Sequence, residues 1–117
     1  MAITFSWPAK TNIVISNVAE TIYANPAATT TFIPSILLHN THTVAVTVTL
    51  YCVPPVSPGV AGTASTANQF FKETLQPDET YPINDHLFIF DATNDTLQAV
   101  ASVDDKVTIF LSGFTQT

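Results

Sequence analysis

At 117 residues the chain is long enough for one domain that buries roughly two-thirds of its unfolded surface, so a core can form without a disulfide or a metal. Only 10% of the residues are charged, against about 25% in an ordinary soluble domain, and the formal net charge is −6. The three lysines, Lys10, Lys72 and Lys106, with no arginine, cannot neutralise a run of phosphates, which argues against nucleic acid and against an anionic membrane surface as partners.

The opening "MAITFSWPAK" lacks a basic segment followed by a long apolar stretch, so no secretory signal is expected and synthesis is placed in the cytoplasm. Nothing approaches the roughly 20 apolar residues of a membrane span. Residues 1–19 read as an extended arm, Asn12 to Ser16 as the first strand within it, and Glu20 to Tyr23 as a second. After the "ANPAA" turn, Thr30 to His39 is a longer strand in which Pro34 implies an edge or a bulge. "NTH" is a tight connection that predicts a hairpin with Thr43 to Val53. Residues 54–66, with three prolines and two glycines, form the one long loop. Strands are then predicted at Asn68 to Thr74, Tyr81 to Ile83 and Leu87 to Phe90. "QPDET" reads as a turn with Pro77 setting its second position. Leu97 to Val103 and Lys106 to Ser112 are predicted to pair as a final hairpin across Asp104 and Asp105.

Abundant Thr and Val, scarce helix formers and no 3.6-residue repeat make this all-β. About eight short strands separated by turns predict a single antiparallel β-sandwich over residues 1–117, with Greek-key or jelly-roll wiring. Alternation assigns the core to Val44, Val46, Val48 and Leu50, to Ile36 and Leu38, to Leu97, Ala99, Ala101 and Val103, and to Val107, Ile109 and Leu111. Thr43, Thr47, Thr49, Tyr51, Thr108 and Phe110 then face outward. Such a neutral exterior suits contact with other protein, because few ions need desolvating.

Signals for chemistry are sparse. His39 and His42 have an H-x-x-H spacing, but a metal wants three or four ligands and no Cys pair accompanies them; His86 stands apart. Asp78, Glu79, Asp85, Asp91, Asp95, Asp104 and Asp105 lie in turns without a calcium-loop pattern, and turn formation explains them. Cys52, in an apolar run, reads as a buried thiol. There is no G-x-S-x-G, and "LSG" reads as a strand terminus. Trp7 and Tyr51 could stack on sugar rings, which keeps a carbohydrate-binding module as a distant alternative. No catalytic, cofactor-binding or metal-binding residue is assigned, and the chain is expected not to be an enzyme.

The order of segments adds a resemblance. "ETIYANPAA", the strand from Ile33 to Asn40, the Val/Thr strand from Val44 to Leu50, "LQPDET" and the closing "IFLSG" together resemble small β-sandwich structural proteins of tailed bacteriophage virions. The resemblance covers Glu20 to Phe114, although "HLFIFDATNDTLQAV" replaces a turn common in that family. It implies a virion protein: first a capsid decoration (cement) subunit bridging the major capsid protein, alternatively a tail or baseplate component. It also implies a homo-oligomer, a trimer ahead of a dimer. Residues 54–66 and the segment before Glu20 are expected to reach neighbours.

Overall fold

A computed structural model describes the backbone of residues 3–117 and the side chains of residues 13–117. Nine strands follow in chain order: β1 (Ile3–Ile15), β2 (Glu20–Ala24), β3 (Thr30–Asn40), β4 (Val46–Val53), β5 (Gln69–Leu75), β6 (Thr80–Ile83), β7 (Phe88–Phe90), β8 (Thr96–Ala101) and β9 (Val107–Gln116). A 3₁₀ turn at Thr66–Asn68 precedes β5. Sheet I has the order β1-β9-β3-β6, with β7 beside β3, and sheet II the order β2-β8-β4-β5. Every pairing is antiparallel. This interleaved strand order is that of a jelly roll, in which most successive strands cross from one sheet to the other.

The crossings overturn both predicted hairpins. β3 and β4 lie in different sheets, as do β8 and β9, so their short connections are arches over the sandwich edge. The consecutive strands β4 and β5 pair instead, across the longest loop. Alternation fixes which face of a strand is buried, but not which sheet the strand joins.

Pro34 does mark a bulge. The β3–β9 register shifts between Phe32 and Ser35, and on the other side of β3 the partner changes from β7, at residues 31–33, to β6, at residues 36–39. Gly113 lies opposite this bulge. A Cβ there would collide with the Phe32 carbonyl oxygen and come within 3.1 Å of Ile33 Cα. "LSG" is therefore not a terminus: β9 continues to Gln116, and the glycine permits two backbones to approach closely.

The core lies between the sheets and is built from Ile33, Ile36, Leu38, Val46, Val48, Leu50, Leu75, Leu97, Ala99, Val107, Ile109 and Leu111, with Ile15 and Ala101. Val44 is the misplaced core residue. It precedes β4 and is 52% exposed. Val103 is half-buried in the β8–β9 turn. Thr49, expected outside, is only 7% exposed because it sits on a central strand between Lys72 of β5 and Val100 of β8.

Two buried asparagines organise the two ends. Asn40, fully buried where β3 ends, donates through Nδ2 to the carbonyls of Val44, Leu75 and Gln76 at 3.0, 3.1 and 3.1 Å, and its Oδ1 accepts from His42 N at 2.9 Å. It thereby ties the β3–β4 arch to the β5–β6 turn. Asn25 does the same at the other end. Its Nδ2 donates to Thr29 O and Ala92 O, its Oδ1 accepts from Thr31 Oγ1, and that hydroxyl also meets Tyr23 OH at 2.7 Å. Among the described residues, no buried side-chain polar atom lacks a partner.

Candidate interaction surface

The residues singled out for chemistry do not converge. His39 lies on the outer face of sheet I, its Nδ1 2.9 Å from Thr80 Oγ1, while His42 belongs to the β3–β4 arch. Among the described residues, no group of three or more His, Cys, Asp or Glu could hold a metal ion. His86 and Asp85 approach to 3.7 Å between β6 and β7, with both side chains largely in solvent, where such a pair contributes little. Trp7 and Lys10 lie outside the described side chains.

Turn chemistry accounts for several carboxylates directly. Asp78 and Asp105 have positive φ (60° and 58°), as does Asn94 (64°), filling left-handed positions that Asp and Asn tolerate better than most residues. Glu79 Oε1 accepts from Gln76 N at 2.7 Å, closing the "QPDE" turn. Asp95 Oδ2 accepts from the backbone N–H groups of Asp91 and Ala92, each at 3.0 Å, and Asp104 Oδ1 accepts from Asn17 N at 3.1 Å.

Two clefts open beside β7, one toward the end of β4 and the start of β8 and the other between β5 and β6. One, about 320 Å³, is lined by Cys52, Pro54, Leu87, Phe90, Asp95 and Thr96. Burial, helped by the negative charge of Asp95, pushes the Cys52 thiol up to about 11, so it stays protonated and unreactive at neutral pH. The other, about 350 Å³, is walled by aromatic rings, with Phe70 against Phe88 at 4.9 Å and Phe71 edge-on to Tyr81 at 5.2 Å. Among the described residues, neither cleft brings a nucleophile to an activated base.

What distinguishes this molecule is where its charges sit. The four inner strands, β9 and β3 of sheet I and β8 and β4 of sheet II, contain no Asp, Glu, Lys or Arg. The lysines and acids fall instead on edge strands (Lys10 in β1, Glu20 in β2, Lys72 and Glu73 in β5) and in turns. The four inner strands therefore present no lysine or carboxylate on either outer face.

The two faces nevertheless differ. On sheet II the loop of residues 54–66 folds back over the exterior. Gln98 Nε2 donates to Gly62 O at 3.0 Å and Asn94 Nδ2 to Gly59 O, leaving Gln98 and Thr96 buried. The loop is thereby tied to the β8 side of this face, while Thr47 and Thr49 of β4 line an open cleft with Lys72, Val100 and Ser102. On sheet I two cross-strand rows are apolar: Leu37 lies between Phe110 and Pro82, and Phe32 between Phe114 and Ile89. Phe32 and Phe114 stack at 4.8 Å, and Leu37 and Ile89 are 37% and 54% exposed. This apolar row was not anticipated. Phe110 alone had been placed outside, and the register that aligns it with Leu37 and Pro82 is a tertiary property.

No protein-family model and no curated protein matches the chain. Among solved structures it is similar to a protein of the Bacillus endospore appendages, described as a novel family of disulfide-linked pili. The identity is 18% over 99% of this chain and 87% of that chain, with a TM-score of 0.51. Weaker likenesses are to chains of the infectious bursal disease virus Gt strain (12% identity, TM-score 0.41) and of the T13 viral particle of that virus (8%, 0.38). Each takes in 97% of this chain, which spans 32% and 29% of those viral chains. The pilus likeness is one of fold: an all-β sandwich of two antiparallel sheets. The bacteriophage resemblance rests on the sequence segments alone.

Proposed function

We propose that this chain is a non-enzymatic structural subunit of a multi-copy protein assembly and, within that class, a capsid decoration protein that stabilises a phage head by bridging capsid subunits. The observation that carries the reading is the charge-free interior of both sheets, coupled to an apolar exterior on sheet I. A solitary soluble domain keeps charges interspersed over its faces, whereas a subunit benefits from faces that can be desolvated cheaply. The order of the phage-like segments supports the finer assignment, with a tail or baseplate position as its variant. The virion is the corresponding location.

The fold it shares with the endospore appendage protein favours a second reading, a subunit of an extracellular fibre. Disulfide linkage would not build such a fibre here, since the single Cys52 can join at most two copies. Cryo-electron microscopy of the native particle tests both readings. Density for the sandwich over capsid-subunit junctions, with lower heat resistance in particles lacking it, supports decoration. A continuous fibre of these subunits selects the second reading. A lone molecule bathed in solvent around a small ligand overturns both.

A further inference from the structure

We infer that the aromatic cleft between β5 and the β6–β7 connection is a carbohydrate site that takes a neutral hexopyranose unit of a glycan. This goes beyond the structural-subunit reading, since it gives such a subunit a ligand of its own.

The cleft is built by a departure from regular strand geometry. Phe71 of β5 stands opposite Leu50 and Gln69 opposite Tyr51, so Phe70 is the extra residue of a β-bulge. Consecutive strand residues ordinarily face opposite sides, yet Phe70 and Phe71 both line this cleft. Phe88 of β7 and Tyr81 of β6 complete the aromatic wall, with ring centroids 4.9 Å from Phe70 and 5.2 Å from Phe71 respectively. β1 lies at the far edge of sheet I, with β9 and β3 between it and the cleft.

The lip supplies polar groups that the fold does not use. Asn84, Asp85 and His86 connect β6 to β7 and edge the cleft. Unlike Asp78, Glu79, Asp95, Asp104 and Asp105, Asp85 neither holds a left-handed position nor caps an N–H group. Among the described residues its carboxylate approaches His86 alone, at 3.7 Å, and its side chain is 77% exposed.

A pyranose has the matching chemistry. Its C–H groups suit the negative face of an aromatic ring, and its hydroxyls donate to a carboxylate and accept from an amide. Charge and shape argue against other ligands. Among the described residues no lysine lines the cleft, and Asp85 repels phosphate, so a nucleotide is disfavoured. The rings touch one another in pairs, which makes a wall rather than a cage around an ammonium group. The volume, about 350 Å³, is at the small end of ligand pockets and too small for a helix about 10–12 Å across. Tyr51, the ring that the sequence offered to a sugar, stands outside the cleft, between Gln69 and Gln98.

The test is an array of neutral gluco-, galacto- and manno-oligosaccharides beside sialylated ones, probed with the full chain. Calorimetric titration of the best-bound neutral oligosaccharide follows. Binding to at least one neutral series is expected. Phe70→Ala and Asp85→Ala should each raise the dissociation constant at least about tenfold, while Tyr51→Ala leaves it unchanged. Phe70 is 36% exposed and Asp85 lies in solvent, so both variants should keep the wild-type melt; if Phe70→Ala does not, Asp85→Ala carries the test alone. No binding to any neutral series overturns the inference, as does binding that a folded Asp85→Ala leaves at wild-type strength or that Tyr51→Ala abolishes. A cleft that instead takes tetramethylammonium chloride, seen as shifts of the Phe70 and Phe88 ring signals by NMR, overturns it in favour of a cation site. Each of these results leaves the structural-subunit reading standing, because that is decided by where the chain lies in the particle.

Discussion

Replacing Asn40 tests whether the sandwich ends are held by buried amides. Its side chain is fully buried and reaches three carbonyls and one N–H of the β3–β4 arch and the β5–β6 turn. Nδ2 has only two hydrogens, so two of its three acceptors share one, and the set amounts to about three full bonds. At about 1 kcal/mol net each, Asn40→Ala should lower the unfolding free energy by about 3 kcal/mol, a large fraction of the roughly 5–15 kcal/mol typical of a domain. The backbone bonds of Asn40 with Asp78 and Glu79 survive the change, so the arch should loosen without the strand being lost. Asn40→Asp sharpens the test, since it points a carboxylate at three carbonyl oxygens. Its folded pKa must rise above the unfolded value of about 3.9. The penalty is therefore absent below about pH 4 and grows as pH rises to the folded pKa, so this variant gains stability in acid relative to wild type. Urea unfolding followed by circular dichroism at several pH values measures both. A loss under about 1 kcal/mol for the alanine variant at unchanged m-value, or a pH profile for Asn40→Asp parallel to wild type, would refute the reasoning.

Other substitutions probe other links. Gly113→Ala drives a methyl into the Phe32 carbonyl, which is fixed backbone, and should cost more than about 3 kcal/mol or abolish folding; a soluble variant with a melting temperature within a few degrees of wild type would contradict the close approach. Gln98→Ala unlatches the loop from sheet II, so proteinase K should cut residues 56–61 several-fold faster while the cooperative melt changes little; equal cleavage rates would mean the loop is held elsewhere. For Cys52 the folded pKa of about 11 lies above the ordinary 9.0, so between those values the unfolded chain gives up its proton first. Stability should fall as pH rises through that window, and the fall should be shallower in Cys52→Ala; identical slopes would remove the thiol as the cause.

Much of the architecture was legible from alternation, because a period of two can be read in a single strand. Val46, Val48 and Leu50, Leu97 and Ala99, and Val107, Ile109 and Leu111 all face the core as read. Pairing was not legible. "NTH" and the Asp104–Asp105 pair suit an arch between sheets as well as a hairpin within one, and the deciding bonds join distant residues. Asn40 meets Leu75 and Gln76, and Asn25 meets Ala92, 35, 36 and 67 positions away. An asparagine next to a turn looks like turn chemistry until those carbonyls arrive. The neutral surface was legible as composition but not as location. Alternation places Thr47, Thr49 and Tyr51 of β4 and Thr108 and Phe110 of β9 outward, but only the register shows Phe110 beside Leu37 and Pro82 and residues 54–66 tied to part of sheet II.

The acidity of the chain then has an explanation that needs no cationic partner. With only three glycines, most left-handed positions must be filled by other residues, and Asp78, Asn94 and Asp105 take three of them. Glu79, Asp95 and Asp104 cap neighbouring N–H groups. Five of the nine acids are thus accounted for by backbone geometry at the turns, and these turns lie at the two ends of the sandwich. Carboxylates gathered there oppose end-to-end stacking of like copies, and the charge or proline on β1, β2, β5 and β6 opposes lateral sheet extension at those strands. The four inner strands carry no lysine or carboxylate, so the turns and edges that build the sandwich are also where its charges gather.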